Sequence, residues 1–348
     1  MSVSSEITRL YGVRSDIFDA ITAKGVTVPQ GSMLGDVPGL IGQISGGDEP
    51  VPVMPVDTYR VEFSEGHTPT TSNRWKSVTQ VSSSPNIWDI QVRPSDYPSC
   101  FSNELSLLKV IAAGRPSSSS LVSMFSSCSA LQSVALFDTS AVTSMDSMFL
   151  YCTALQSVPL FDTSSVADMH SMFEGCRALH TVPLFNTSSV HNMPYMFNYC
   201  TALVTVPLFD TSLVNTMYGM FSGCESLQSV PLFDTSSATD MNGMFSYCKA
   251  LQSVPLFNTS SATDMNNMFD GCSALRTIPL FDTGNVVNVD YMFSGCSNVE
   301  SGALALYQQM SSQSTPPSAH NSCFYECGSG TTTGAAELAQ IPSDWKGM

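Results

Sequence analysis

The sequence predicts a repeat solenoid, a protein whose similar coils stack along one axis. The chain has 348 residues, and Met-Phe pairs recur with a constant 24-residue period from Met124 to Met292. A cysteine follows each of these methionines at the fourth position, so most of the eleven cysteines occupy one repeat position. A fixed period of this length is typical of solenoids, in which stacked coils bury a core that no single coil could bury.

The period also predicts the kind of coil. It falls within the range of leucine-rich repeats, and Leu155, Val158 and Leu160 match their L-x-x-L-x-L strand signature. Strand alternation would turn Leu160 inward and the next residue, Phe161, outward. We therefore expect leucine-rich-repeat-like 24-residue coils, each a short parallel strand plus a loop or helical turn.

Composition divides the chain into four regions. An apolar stripe through Ile7, Leu10, Ile17 and Ile21 predicts a small helical module for attachment or oligomerisation. A linker and a small β region follow, with short strands expected at residues 59–63, 75–81 and 87–92. The expected regions are a helical module at 1–45, a linker and β region at 46–96, a solenoid at 97–300 and a C-terminal cap at 301–348. Residues from 97 onward are expected to fold alone.

Both ends of the solenoid depart from the strict repeat. Cys100-Phe101 lies one period before the first Met-Phe pair and predicts a diverged first coil. Cys323-Phe324 restarts the pattern later than one period after Met292, so the last repeat carries an insertion with an expected helix at residues 302–310. Three apolar residues near the C-terminus are expected to close the core: Leu338, Ile341 and Trp345.

Two resemblances follow from these motifs. The unit M-F-x-x-C-x-x-L-x-x-V-P-L-F-D-T-S-x-V-x-x-M resembles the BspA-type leucine-rich repeat of bacterial surface proteins. The segment 20–44, with its Lys-Gly-Val-Thr-Val-Pro stretch at 24–29, resembles the short N-terminal module of tailed-phage tail and fibre proteins.

Together the resemblances imply a non-enzymatic phage virion protein whose solenoid binds a host surface polysaccharide or protein. The N-terminal module would then contact other virion proteins, and a homo-trimer is favoured through its heptad-like apolar positions. A purely structural virion or decoration subunit is one alternative, and a bacterial cell-surface adhesin is another. The expected location is the virion or, under the last alternative, the bacterial cell surface.

Charge and motifs disfavour several other functions. The formal net charge of -16 argues against a nucleic-acid partner, which needs clustered Lys and Arg. No apolar run reaches the roughly 18 residues of a membrane span, and residues 1–7 lack the features of a signal peptide. None of the five histidines lies in H-E-x-x-H, and no serine stands in G-x-S-x-G. We therefore expect no catalytic residue, no cofactor and no membrane insertion.

Two polar columns have a structural and a functional interpretation. The repeated cysteine favours a reduced, buried ladder, with disulfides between coils or a metal site as alternatives. The position of Asp162 is Asp or Asn in seven coils and favours turn chemistry, with a column of Ca²⁺ ligands as the alternative. Because structural uses account for both repeats, no metal site is expected.

Aromatic residues are the candidate binding residues. A phenylalanine recurs at the repeat position of Phe161, where it is either exposed as a contact surface or turned inward by the preceding proline. Tyr195 and Tyr218 vary between coils and are expected in surface loops. The candidate set is Phe137, Phe161, Phe185, Phe209, Phe233, Phe257, Phe281, Tyr195 and Tyr218.

Overall fold

The computed structural model describes residues 53–69 and 75–347. The chain divides into two compact units, Met1–Pro52 and Val53–Met348, and only the second is described here. The expected helical module at 1–45, with its trimer and virion contacts, lies outside the described residues.

The second unit begins with the expected β region. Four strands, β1 (Thr58–Phe63), β2 (Trp75–Ser83), β3 (Asn86–Val92) and β4 (Leu107–Ala113), lie in one sheet in the order β2-β3-β1-β4. The pairs among β1 to β4 are antiparallel. The last strand, β5 (Ser133–Val134), pairs parallel with β4 and joins the sheet to the solenoid. The sheet therefore crosses the expected boundary between residues 96 and 97.

Each coil turns through successive hydrogen-bonded β-turns at its Met-Phe-x-x-Cys segment. In one coil the N–H of Leu150 donates to the carbonyl of Ser147 (3.1 Å), whereas the N–H of Phe149 donates to that of Met172 in the next coil (2.9 Å). Ser147 and Tyr151 have φ values of 56° and 57°, so each coil has two left-handed turn positions. Alternate N–H groups therefore donate to a carbonyl of their own coil and to a carbonyl of the neighbouring coil.

The Met-Phe pairs form the centre of the core. Phe149 is fully buried, and its ring stacks on Phe125 and Phe173 at centroid distances of 5.5 and 5.6 Å. The same stack begins at Phe101 in the diverged first coil and ends at Phe324 in the last. The predictions of a first coil near residue 100 and a last coil near residue 323 are confirmed.

The expected strand through Leu155 and Leu160 is absent. A proline at the position of Pro159 in six coils has no N–H to donate, and a single backbone bond, such as Gln156 to Gln132 (3.2 Å), joins neighbouring coils there. Between the central coils, parallel pairing occurs instead on another side of the coil, as one-residue bridges such as that between Ser144 and Asp168. The repeat architecture is confirmed, but its strand component is wrong for these coils.

The C-terminal cap covers the last coil. It contains α1 (Ala303–Ser311), α2 (Thr332–Gln340) and a 3-10 helix at Ser343–Trp345, and a further 3-10 helix lies in the β region at Pro94–Asp96. Ile341 and Trp345 are buried and Leu338 is partly buried, as expected for residues that close the core.

Side chains add further bonds between coils. Each threonine that follows the Asp/Asn position donates its hydroxyl to a backbone carbonyl of the next coil, as Thr163 does to Asn186 (2.8 Å). This threonine ladder ends at Thr283, whose hydroxyl oxygen accepts instead from Gln313 in the cap (2.6 Å). The cap therefore completes both the apolar core and the polar ladder.

Candidate binding surfaces

The phenylalanine column lies in the core. Of the two alternatives, the inward one is correct and the outer contact surface is wrong, because these rings are at most 5% exposed: Phe137, Phe161, Phe185, Phe209, Phe233, Phe257 and Phe281. The reason is a three-residue turn, in which the N–H of Phe161 donates to the carbonyl of Pro159 (3.0 Å). This turn interrupts strand alternation, so the residue after its apex points back inward.

The residue at the apex of that turn is exposed instead. Seven leucines at the repeat spacing form a leucine stripe, and each is between 44% and 60% exposed. The leucine stripe consists of Leu136, Leu160, Leu184, Leu208, Leu232, Leu256 and Leu280. The proline before most of these leucines was the sequence signal that could have identified this arrangement, because it breaks the strand on which the inward assignment rested.

The Asp/Asn column builds turns. Asp138 accepts hydrogen bonds at one oxygen from the hydroxyl (2.7 Å) and the N–H (3.0 Å) of Ser140, and these bonds hold the pKa of Asp138 below its usual value. The same bonding recurs at Asp210 with Ser212. In the described part of the chain no three His, Cys, Asp or Glu residues are placed to hold a metal ion. The hydrogen bonds from Ser140 and Ser212 therefore support the turn-chemistry interpretation.

The cysteine column is a ladder of thiols. All eleven cysteines are free and buried. The thiol of Cys200 donates to the carbonyl of Phe173 in the preceding coil (3.0 Å), and the other coils repeat this bond at 3.0 to 3.2 Å. Burial raises the pKa of Cys200 well above its usual value. These cysteines are therefore poor nucleophiles and stabilise the stack by packing.

Tyr195 and Tyr218 lie together at the surface of neighbouring coils. Their rings meet edge to face with centroids 4.7 Å apart. They belong to a cleft of about 250 Å³ on the β-turn side of the coils, which we call the tyrosine cleft. Its lining is Tyr195, Tyr218, Gly219, Ser222, Asn242, Gly243, Ser246, Tyr247, Asn267 and Asp270.

Two glycines create the floor of the tyrosine cleft. Gly219 and Gly243 occupy the first left-handed turn position of their coils, where Tyr195 and Asn267 stand in the flanking coils. A Cβ atom on Gly219 would lie 2.8 Å from the Tyr195 ring, whereas one on Gly243 would meet nothing closer than 4.0 Å. Because these two glycines have no side chain, the cleft is open at its floor. The ring of Tyr195 packs over Gly219.

A second tyrosine–glycine contact holds the side of the cleft that Tyr247 lines. Tyr247 stands at the second left-handed position of its coil, and its ring lies against Gly271 of the next coil, where a Cβ atom would come within 2.7 Å. The same packing joins Tyr199 to Gly223. Sequence reasoning missed Tyr247 and the glycines, although aligning the coils in register shows tyrosine and glycine alternating at this position.

The cleft carries negative charge. Asp270 is half-buried, and burial raises its pKa, while hydrogen bonds from Ser294 and Tyr247 act in the opposite direction. Burial and the neighbouring Tyr218 hydroxyl are the main causes that raise the pKa of Tyr195. No Lys or Arg is among the residues that line the cleft. The site therefore suits neutral or cationic ligands better than anions.

No helix among the described residues is both long and apolar enough to cross a membrane. No curated protein matches the chain. Two solved structures resemble it: a leucine rich cell surface protein from Faecalibacterium prausnitzii A2-165 and a leucine-rich repeat protein from Bacteroides ovatus ATCC 8483.

The first of these is 20% identical, with 70% of this chain and 78% of that chain covered and a TM-score of 0.37. The second is 15% identical, with coverage of 72% and 83% and a TM-score of 0.21. At these TM-scores the likenesses carry no argument about this chain. A family model described as "Mycoplasma protein of unknown function, DUF285" matches residues 119–207 and 204–307, the solenoid itself. These matches span more than half of the chain, which therefore belongs to the DUF285 family.

Proposed function

We propose that this protein is a non-enzymatic binding protein of the bacterial cell surface, with the tyrosine cleft as its contact site. The observation that carries the proposal is the contrast between the two sides of the turn segment. Met, Phe and Cys recur inward in every central coil, whereas the outward positions differ and, in adjacent coils, assemble three tyrosines around a glycine floor. Solenoids bind partners through such variation on a constant frame.

The composition of the cleft supports binding over catalysis. Its lining contains one carboxylate, Asp270, and neither histidine nor cysteine. Acid/base catalysis usually needs groups that titrate near the working pH, and apart from Asp270 the titratable side chains of the lining are tyrosines, whose ordinary pKa lies near 10. Tyrosines with a few amides and hydroxyls are instead typical of recognition surfaces.

A surface polysaccharide or a protein is the partner class we propose. A nucleic acid is disfavoured by the net charge of -16. We place the protein on a cell rather than a virion because the virion interpretation depends on residues 20–44, which lie outside the described residues. The repeat unit that resembles those of bacterial surface proteins, in contrast, builds the described coils.

Adhesion of beads coated with the full chain to a panel of bacterial and animal cells tests the proposed activity. We expect wild-type beads to adhere to at least one cell type. Gly243→Asn should abolish adhesion, because an asparagine already occupies this turn position in the next coil and its side chain would fill the cleft floor. Ser123→Asn places an asparagine at the equivalent position of a coil remote from the cleft and should adhere normally.

The proposed activity would be overturned if wild-type beads adhered to none of the cell types. It would also be overturned if the Gly243→Asn beads adhered as well as the wild type. Immunogold labelling of producing cells tests the location separately. Gold on the cell envelope supports the proposal, whereas gold confined to phage particles would restore the virion interpretation.

A further inference from the structure

The walls of the tyrosine cleft are aromatic on two sides. Tyr195 and Tyr218 form one wall, and Tyr247, which is 50% exposed, stands in the coil after Tyr218. Tyr247 is held in place because its ring lies on Gly271. Tyr195 packs on Gly219 in the same way, and Tyr218 packs edge to face on Tyr195, so three phenol rings with electron-rich π-systems line one small volume.

Among the residues that line the cleft, the one charged side chain is acidic. Asp270 lines the cleft, and the carboxylates of Glu174 and Asp240 act electrostatically on Tyr195. Lys249 also acts electrostatically on Tyr247, but its ammonium group lies outside the lining and is paired with Glu225 at 2.8 Å. A ligand in the cleft therefore meets negative potential without a competing cation in the lining.

Each class of ligand can be compared with this lining. An anion would be repelled by Asp270 and would find no Lys or Arg to bind it. A neutral sugar could stack on a ring and use Asn242 and Asn267, but it would leave the half-buried carboxylate without a counter-charge. A cation satisfies both features, since aromatic faces attract it and the carboxylate neutralises it.

We infer that the tyrosine cleft binds an alkylammonium group, with Tyr195, Tyr218 and Tyr247 as its cage and Asp270 as its counter-ion. The inference rests on the proposed function for the choice of cleft and names the chemistry that the cleft recognises. The cleft volume of about 250 Å³ is large enough for one such group. The amides of Asn242 and Asn267 make no side-chain hydrogen bond to the described residues and remain available for atoms attached to the cation.

Titration calorimetry with the full chain and small probes tests this inference. Choline and its uncharged carbon isostere, 3,3-dimethylbutan-1-ol, have nearly the same shape and differ in charge. We expect choline to bind at least about tenfold more tightly, the difference that one cation–π contact with a nearby carboxylate supplies. Equal affinity for the two probes, or saturable binding of methyl glucoside without binding of choline, would overturn the inference.

Variants connect the binding to the cleft. Asp270→Asn and Tyr218→Leu should each weaken choline binding about tenfold, and Gly243→Asn should abolish it. Ser123→Asn is remote from the cleft and should bind choline within about twofold of the wild type. Unchanged choline binding by Gly243→Asn would place the ligand elsewhere and overturn the assignment.

Two further probes distinguish the possible sources of the group. Tighter binding of tetramethylammonium than of methylammonium would indicate a choline-like headgroup, and the reverse order a lysine side chain; either order supports the inference. Bead adhesion that depends on Gly243 without choline binding would reject the ligand class and leave the proposed function standing. Choline binding without adhesion would support the ligand class and reject the proposed function.

Discussion

At the scale of single residues, neighbours in the sequence have opposite roles. Leu208 is 58% exposed, and the next residue, Phe209, is 2% exposed. The N–H of Phe209 donates to the carbonyl of Pro207 (3.0 Å), which places Leu208 at the apex of a three-residue turn. The leucine of the pair is thus on the surface, and the phenylalanine is in the core.

Replacing each member of this pair by alanine measures the difference. Phe209→Ala should lower the free energy of unfolding by about 3–5 kcal/mol, because it leaves a cavity in the stacked core. Leu208→Ala should change it by no more than about 0.5 kcal/mol. Chemical denaturation of the two variants checks this, and similar losses for both would contradict the assignment of faces.

The glycines beneath the tyrosines allow a second matched comparison. Gly223 and Gly243 have φ values of 72° and 59°, so an alanine at either position is strained by about 1 kcal/mol. A Cβ atom on Gly223 would also lie 2.7 Å from the Tyr199 ring, whereas one on Gly243 has space. Gly223→Ala should therefore melt at a lower temperature than Gly243→Ala; equal melting temperatures would mean that the ring moves aside freely.

At the scale of elements, neighbouring coils are joined by three kinds of hydrogen bond, each from a different repeat position. Backbone bonds such as Phe149 to Met172, threonine bonds such as Thr163 to Asn186 and thiol bonds such as Cys200 to Phe173 repeat along the stack. The ladders hold the coils in register without the continuous parallel sheet expected from the sequence. Repetition also means that each group has the same buried surroundings as its equivalents.

The thiol ladder makes stability fall at alkaline pH. Burial raises the pKa of Cys200 and Cys248 above their usual values, so the fold favours the neutral thiol. The resulting stabilisation is complete below the unfolded-state pKa of about 8.5 and is lost as pH rises from there toward the folded-state pKa. Each thiol that ionises only on unfolding contributes a slope of at most about 1.4 kcal/mol per pH unit.

Denaturation at pH 7.5, 8.5 and 9.5 with a non-thiol reductant measures this loss. Below about pH 10 the buried tyrosines contribute little, because their ordinary pKa lies near 10. Cys200→Ala serves as the control, and its stability should fall less steeply by about one thiol's share. A flat profile for the wild type would show that the thiols are accessible or already ionised.

At the scale of the whole described unit, the β region and the solenoid share one core. The Phe101 ring of the first coil contacts Tyr59 of β1 at 5.4 Å and Trp75 of β2 at 5.8 Å between ring centroids. Strand β4 lies after residue 97 but pairs with β1 before it. The sheet therefore caps the first coil, as the C-terminal helices cap the last.

This shared core reverses our expectation for truncated chains. A fragment of residues 53–348 should unfold cooperatively, because it keeps both caps. A fragment of residues 97–348 should melt at a markedly lower temperature or aggregate, since β4 loses its partner strand and Phe101 becomes exposed. Calorimetry of the two purified fragments checks this, and equal melting temperatures would show that the solenoid needs no N-terminal cap.

Much of the frame could be predicted from the sequence. The constant period identified the coils, and the recurrence of Met, Phe and Cys identified the core stacks around Phe149 and the buried thiols. Three strands of the small β region were expected close to their observed bounds, whereas β4 was not, and Trp345 was correctly assigned to the cap. These features depend on local pattern and repetition, which a linear sequence displays directly.

The tertiary structure alone decided which way the Pro-Leu-Phe segment faces and where a binding site forms. The direction of Leu208 and Phe209 depends on backbone dihedral angles at the turn, which can reverse the simple alternation of a strand. The tyrosine cleft depends on stacking, because Tyr195, Gly219 and Gly243 lie a full repeat period apart in sequence but adjacent across coils. The sequence by itself determined the repeating coil, whereas the contacts between coils determined its surface.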